Sequence, residues 1–180
     1  EYDVLLFSGA VSKGKFDFLP EIFEELNVEK RFHKVAQRPG KPFWFGSAAY
    51  FCVNEQNVYE NEKENNKKNT IVFGFPGNPI STFVNCLVYF YPWYYKSMGM
   101  EIKEETAILG EDVFFKPNLM YFLQVKIASE NGNLVAFPIK GNGSGDLASL
   151  VKTDAFILLP DDRTEFKKGA FFPIIRYRSV

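Results

Sequence analysis

The chain has 180 residues, of which 46% are hydrophobic and 17% aromatic, and its formal net charge at pH 7 is −1. This length allows one ordinary domain or two small ones with a sizeable core, and the composition excludes a disordered chain. Because the net charge is close to zero, a global field that recruits nucleic acid or an anionic membrane is also excluded.

The cysteines and the first residues indicate the kind of protein. Cys52 and Cys86 are the only cysteines and have no CxxC partner, so neither a disulfide framework nor a zinc site is indicated, which suits a reducing cytoplasm. No run of about 18 apolar residues predicts a transmembrane helix, and no signal peptide is recognisable. The chain begins without Met on an apolar strand pattern, which predicts a fragment of a longer protein.

The first predicted unit is a strand, a polar loop and a helix. The run "DVLLFSG" is typical of a buried parallel strand that enters a loop. Residues 18–27 carry apolar side chains at helical spacing, Asp17 stands at the predicted N-cap, and Pro20 fits a first turn.

The loop "SGAVSKGKFD" is the first candidate site. Gly9 and Gly14 allow close backbone approach, and Ser8 and Ser12 offer hydroxyls. Exposed amides at a helix N-terminus bind anions, although the spacing is neither a Walker A loop nor GxGxxG. Asp17 could hold a Mg²⁺ ion that bridges to phosphate. An ordinary helix N-cap is the alternative interpretation.

The segment "KRFHKVAQRPGKP" is the second candidate site. If "KRFHKVAQ" is one strand, Lys34 and Arg38 share a face about 13 Å apart, at about 3.3 Å per residue. With Lys41 after the turn, three cations could bind an extended oxyanion such as a diphosphate. A solvated strand edge is the alternative. His33, the only histidine, falls on the opposite face without a GxSxG elbow, which argues against a Ser–His–Asp hydrolase.

Two further strands precede a long helix. "FWFG" predicts the third strand, and residues 53–69, rich in asparagine and mixed charge, predict a solvated hairpin tip or a disordered insertion. "TIVFGFPGNP" predicts the fourth strand. The helix that follows is expected to be kinked or divided at Pro92 and to stop at Gly99.

The loop "FGFPGNP" is the third candidate site. Pro76 and Pro79 stiffen it, Gly77 leaves room for a ligand atom, and Asn78 can cap the helix. The amides that follow, including that of Ser81, are predicted to open a second helix N-terminus. A plain strand-to-helix turn explains the pattern equally well.

After Gly99 the sequence predicts a small all-β domain, so that the domains would be residues 1–99 and 100–180. Strand-like runs alternate with turn signals at short spacing, and only "DLASLVKT" is typical of a helical turn. The glycine-rich "GNGSGD" exposes Ser144, and a flexible hairpin loop is the favoured local interpretation.

Four segments in series resemble a known family: "SGAVSKGKFDF", "FHKVAQRPGKPFWFG", "VFGFPGNPIS" and "GSGDLASLVKTDAFILLP". This series resembles the C-terminal half of the MoeA/gephyrin-E family of molybdopterin molybdenumtransferases and spans nearly the whole chain except residues 53–69. The resemblance implies an α/β domain first, the later part of a MogA-like three-layer domain that is incomplete at its N-terminus. A small all-β barrel domain would follow.

The resemblance also implies a chemistry. The family inserts molybdate into adenylylated molybdopterin and releases AMP with the help of a divalent metal, here Mg²⁺. The implied catalytic residues are Asp17, Lys34 and Arg38, with Asp17 also a metal ligand. The implied substrate-binding residues are Ser8, Gly9, Ser12, Gly14, Lys41, Pro76, Gly77, Asn78, Pro79, Ser81 and Ser144.

The sequence departs from the family pattern at two positions. The family usually has a second glycine where Ala10 stands and an arginine where Gln124 stands, and the neutral Gln124 amide cannot supply that charge. The implied partners are small-molecule substrates and a second copy of the protein, in the cytoplasm, without nucleic acid or membrane. Two alternative functions remain. One is a molybdopterin adenylyltransferase, although that family reads "TTGGTG" in its first loop and lacks a β-barrel tail. The other is a non-catalytic gephyrin-like scaffold.

Overall fold

A computed structural model describes residues 2–11, 17–51, 67–139 and 147–178. Its contacts group the chain into two units, Glu1–Lys34 with Pro42–Gly77, and Val35–Lys41 with Asn78–Val180. The predicted domain boundary at residue 99 stays a prediction. No helix among the described residues is long and apolar enough to cross a membrane.

The described helices and strands are, in chain order, β1 (Val4–Ser8), α1 (Leu19–Glu25), β2 (Glu29–His33), β3 (Gln37–Arg38), β4 (Trp44–Phe51), β5 (Lys67–Phe75), α2 (Pro79–Asn85), a π-helical turn (Cys86–Phe90), α3 (Tyr91–Ser97), β6 (Glu105–Leu109), β7 (Val113–Phe114), β8 (Met120–Glu130), β9 (Asn133–Pro138), α4 (Leu147–Val151), β10 (Ala155–Leu159), β11 (Glu165–Phe166) and β12 (Phe171–Arg176).

The first unit is a four-stranded mixed sheet in the order β1-β5-β4-β2. β1 runs parallel to β5, whereas the β5–β4 and β4–β2 pairs are antiparallel. The apolar face of α1 supplies Phe23, whose ring lies 4.5 Å from that of Trp44, over buried Val11 and Val72. The predicted first, third and fourth strands and the first helix are confirmed, and with them the α/β character of this part.

Two details of the sequence interpretation are wrong. The N-cap of α1 is Phe18, without a side-chain cap, and not Asp17. The predicted strand "KRFHKVAQ" ends at His33 because Lys34 has a φ of 71°, a left-handed conformation that breaks the extended backbone. Strand parity therefore does not carry from Lys34 to Arg38, and the separation of about 13 Å derived from it has no basis.

The long helix has three parts. Asn78 caps α2 by accepting a hydrogen bond from the Ser81 N–H at 3.0 Å, and a proline occupies the first turn, as predicted. The π turn Cys86–Phe90 then separates α2 from α3, and Tyr91 N–H donates to the Cys86 carbonyl, five residues back. Pro92 cannot donate to the turn before it, so the predicted division at Pro92 takes the form of this π turn.

The second unit contains the small barrel. Five strands close on themselves in the order β8-β10-β12-β6-β9, and β9 pairs again with β8. The inward residues, among them Leu109, Val125, Ala136 and Ile157, are fully buried. β3 is not one of these five strands; it pairs in parallel with the start of β8. The predicted β-barrel and the helical turn α4 are confirmed.

The long helix packs on the barrel within this second unit. Ile80 and Val84 of α2 form a buried cluster with Phe122 of β8 and Phe156 of β10. This contact places α2, the N-terminal part of the long helix, against β8, the strand with which β3 pairs. The predicted insertion 53–69, apart from the β5 residues 67–69, lies outside the described residues, as does the "GNGSGD" turn.

Candidate functional site

Two glycine loops meet at the carboxyl ends of the parallel strands β1 and β5. Gly9 N–H donates to the Phe75 carbonyl at 2.9 Å, and a Cβ added to Gly77 would lie 3.5 Å from Gly9 Cα. The crevice outside the carboxyl ends of parallel strands is where open α/β sheets bind ligands. The structure thus brings Ser8 and Gly9 together with Pro76 and Gly77.

The backbone of the first loop is left-handed at two successive residues. Gly9 has a φ of +93° and Ala10 a φ of +56°. Both values lie in the left-handed region that glycine adopts without steric cost, so a glycine, which the resemblance implies at position 10, would fit there with less strain than Ala10. Ser12 and Gly14, further along this loop, lie outside the described residues.

Asp17 and His33 show no prepared metal or nucleophile site. Asp17 is half-buried ahead of α1, and the described part of the chain contains no group of three or more His, Cys, Asp or Glu side chains able to hold a metal ion. His33 Nε2 lies 2.9 Å from the Val11 carbonyl, which can only accept, so the ring donates to the backbone. The histidine therefore has a structural role in fastening the first loop to β2.

The three candidate cations are all exposed, but they belong to different parts of the fold. Lys34 follows β2 in the first unit, whereas Arg38 and Lys41 belong to the second. Arg38 pairs with Tyr121 in the β3–β8 ladder. The Val35 N–H donates to the Lys41 carbonyl at 3.0 Å, and this hydrogen bond closes residues 35–41 into a tight loop.

A cavity of about 140 Å³ opens beside this loop. Arg38, Pro39, Tyr121, Gln124 and Ser149 contribute to its lining, and Arg38 is the only charged residue among the described residues that line it. Burial raises the pKa of Tyr121, and the Arg38 cation only partly opposes this shift, so the phenol stays protonated. One cation and neutral donors without a carboxylate form an environment that suits an anion.

Gln124, where the resemblance implies an arginine, lines this cavity. Its Oε1 atom is buried and accepts no hydrogen bond from the described residues. A buried acceptor without a partner costs free energy, and the neutral Gln124 amide adds no positive charge to the cavity.

The strand-to-helix loop has fewer free donors than the sequence suggests. Because Asn78 Oδ1 already accepts the Ser81 N–H, that amide serves the helix cap. Ser81 itself is buried, and Pro79 has no N–H to offer. Ser144, the remaining predicted ligand, lies outside the described residues.

A buried polar network, which the sequence interpretation missed, supports the Arg38–Lys41 loop. Gln37 Nε2 donates to the Pro39 carbonyl at 2.9 Å and to Asn85 Oδ1 at 2.8 Å. Asn85 Nδ2 donates to the Gly40 carbonyl at 3.1 Å, and the Tyr89 hydroxyl donates to Gln37 Oε1. The available signal was an asparagine inside an apolar helix, where a buried amide needs partners.

Two family descriptions match the chain. Residues 1–93 match a family described as a probable molybdopterin binding domain, and residues 106–177 match the MoeA C-terminal region, also called domain IV.

Similar proteins come from bacteria, an insect and an archaeon. The molybdopterin molybdenumtransferase of Synechocystis is 36% identical over 96% of this chain and 38% of its own length. The Drosophila melanogaster molybdenum cofactor synthesis protein cinnamon is 30% identical over 95% of this chain and 26% of its own length. A crystal structure of the molybdopterin biosynthesis MoeA protein from Pyrococcus horikosii matches 99% of this chain and 38% of its own, with a TM-score of 0.67 and 27% identity. The chain thus spans well under half of these relatives.

Proposed function

Since this chain belongs to the MoeA family, in which a molybdopterin-binding domain precedes the MoeA C-terminal region, we propose that the full-length protein inserts molybdate into adenylylated molybdopterin. The observation that carries the proposal is the meeting of the Gly9 and Gly77 loops at the carboxyl ends of two parallel strands, within the part that matches the molybdopterin-binding family.

The first step of the proposed reaction is hydrolysis of a phosphoanhydride. Water adds to one phosphorus, the bond to the bridging oxygen breaks, AMP leaves, and the other phosphate stays on molybdopterin. Ser8 and Gly9, with Ser12 and Gly14, approach the phosphates in this proposal, and the absence of side chains at Gly9 and Gly77 lets the backbone come close. Such a site needs donors and positive charge more than a nucleophile.

The exposed cations supply that charge. Lys34, Arg38 and Lys41 bind the oxyanions in this proposal, and Arg38 extends its charge to the cavity in which Gln124 and Ser149 offer neutral groups. A guanidinium keeps its charge at any physiological pH and offers paired donors to an oxyanion. Pro76, Asn78, Pro79 and Ser81 contribute shape and rigidity, and Ser144 is proposed as a further donor to molybdate.

Asp17 is the proposed metal-binding carboxylate. Because the described residues contain no cluster of metal-binding side chains, an all-protein cage for Mg²⁺ is not available among them. Mg²⁺ is often held by one or two carboxylates, several waters and substrate phosphates, and a single Asp17 fits that mode. When bound, the ion would neutralise phosphate charge. Asp17 would orient it from the loop that precedes α1.

The test is the double substitution Lys34→Ala with Arg38→Ala in the full-length protein. Each lost hydrogen bond to a charged group is worth about 1.5–3 kcal/mol, so cofactor formation should fall about 10²- to 10⁴-fold. Arg31→Ala is the matched control, because Arg31 is an exposed cation on β2 that pairs with Glu29 on the surface. Wild-type cofactor formation in the double variant would refute the site.

The same assay separates the alternative functions. AMP release from adenylylated molybdopterin supports the proposal, whereas ATP-dependent adenylylation of molybdopterin by the purified protein would make it an adenylyltransferase. Partner binding that survives loss of the basic residues, without any catalysis, would favour a scaffold. The proposal also includes a three-layer MogA-like organisation of the α/β domain, a homodimer and a cytoplasmic location, all implied by family membership.

A further inference from the structure

Strand β3 has a neutral, buried side chain on one face, that of Gln37, and a charged, exposed one on the other, that of Arg38. Gln37 is buried, with 3% of its surface exposed, and its neighbour Arg38 is exposed. Successive strand residues point to opposite faces, so the amide is anchored inside while the guanidinium remains outside. The β3–β8 pairing fixes the start of this segment through Tyr121.

The buried network binds the loop by its carbonyl groups. The Pro39 carbonyl accepts from Gln37 Nε2, and the Gly40 carbonyl accepts from Asn85 Nδ2. All four hydrogen bonds are compatible with only one orientation of each amide, because turning the Gln37 amide would set two acceptors against each other. Tyr89 holds that orientation by donating to Gln37 Oε1.

The direction of these carbonyl groups fixes the direction of the neighbouring N–H groups. The Pro39–Gly40 and Gly40–Lys41 peptide bonds are trans, and in a trans peptide the C=O and the next N–H point in opposite directions. The N–H groups of Gly40 and Lys41 therefore point away from Gln37 and Asn85. Neither donates to a backbone carbonyl among the described residues.

We propose that Gln37, Asn85 and Tyr89 are positioning residues for oxyanion binding by the Arg38–Lys41 loop. By holding both carbonyl dipoles inward, they keep the loop's N–H groups turned the other way and fix the backbone that carries Arg38 and Lys41. Without the network, either peptide can rotate and present a carbonyl oxygen, which repels an anion, and the loop must be ordered each time a ligand binds. This inference rests on the proposed function, because it assumes that the loop binds an oxyanion.

The mildest test is Tyr89→Phe in the full-length protein, because this change keeps the ring and removes only the hydroxyl that orients Gln37. Molybdate binding measured by calorimetry should weaken about 3- to 10-fold, the value of one lost hydrogen bond. Tyr94→Phe is the matched control, since Tyr94 is 42% exposed on the same helix. In cofactor formation, the loss should appear in KM for molybdate rather than in kcat.

A double-mutant cycle with Arg38→Ala separates positioning from general stability. Because the network also fixes Lys41 and the loop's N–H groups, Tyr89→Phe should weaken molybdate binding in both backgrounds, but less once Arg38 is absent. An equal effect in both backgrounds, or no effect of Tyr89→Phe beside a clear effect of Arg38→Ala, would overturn the inference and leave the proposed function standing. No effect of Arg38→Ala alone would instead reject the oxyanion site and the inference with it.

Hydrogen exchange of the Val35 N–H, which donates to the Lys41 carbonyl at 3.0 Å, provides a second measurement that needs no ligand. Tyr89→Phe should accelerate exchange of this amide, while the peptides of β8 exchange as in the wild type. Unchanged exchange of the Val35 amide in a folded Tyr89→Phe protein would contradict the network's role. Should the variant also lose protection throughout β8, the network would be a requirement for folding, and the positioning role would be rejected.

Discussion

Substituting Gly40 by alanine tests how tightly the Arg38–Lys41 loop is built. Gly40 has a φ of +95°, and an added Cβ would lie 2.4 Å from Asn85 Oδ1 and 2.8 Å from Gln37 Nε2. The left-handed conformation costs an alanine about 1–2 kcal/mol. Moving Asn85 out of the way breaks its two buried hydrogen bonds, at about 1 kcal/mol each. We therefore expect a loss of about 3–4 kcal/mol.

Gly169→Ala is the control that isolates the steric part of this cost. Gly169 has a φ of +89°, and no atom of the described residues lies within 4 Å of its added Cβ. It should lose only the conformational part, about 1–2 kcal/mol. Both variants and the wild type are compared by urea unfolding of the full-length protein, followed by circular dichroism and tryptophan fluorescence. Equal losses for the two alanines would refute the tight packing of Gly40 against the network.

Two further predictions concern the second unit. Asn78→Ala should destabilise the protein by about 1 kcal/mol, since it removes the cap on the Ser81 N–H, and thermal unfolding against an Asn78→Asp variant, which keeps an acceptor, measures it. For Asp154, burial opposes ionisation, but hydrogen bonds from Ile127 N–H and Lys126 outweigh it and lower the pKa of the carboxyl below its ordinary value. The ionised Asp154 therefore stabilises the fold above the ordinary pKa of 3.8, and this contribution is lost as the pH falls through the lower folded value. Asp154→Asn should lower the unfolding midpoint at about pH 7, and the deficit should shrink in acid; a deficit that grows in acid contradicts the assignment.

Local sequence rules predicted the elements whose signals are local. Asn78 and Pro79 indicate where α2 begins. The Asn78 side chain accepts a hydrogen bond from an N–H of the first turn, and the ring of Pro79 fixes its φ at a helical value. The apolar run before Ser8 likewise predicted β1 and its parallel pairing, but β1 is an edge strand with Leu6 half-exposed rather than the buried strand that the run predicts.

The failures came from positions where the backbone departs from the regular pattern. Lys34 carries no signal for a left-handed φ, since lysine has no special preference for it, and strand parity was therefore extended across a break. The network was missed because Gln37 and Asn85 are 48 residues apart, and no short pattern connects an amide on a strand with one on a distant helix. Arg38 was singled out from the sequence as a candidate cation, but the side chains that hold its loop became visible only in the packing.

The π turn at Cys86–Phe90 sets the rotational phase of everything that follows it on the long helix. Each α-helical residue advances the side chains by about 100°, so a turn that closes over five residues instead of four shifts the phase of α3 by one such step relative to α2. Tyr89 lies inside this wide turn and from there reaches Gln37. A one-residue deletion within the turn would therefore act at a distance. It would rotate the tyrosine-rich surface of α3 by about 100° relative to α2 and, where it precedes Tyr89, turn Tyr89 away from the loop that carries Arg38.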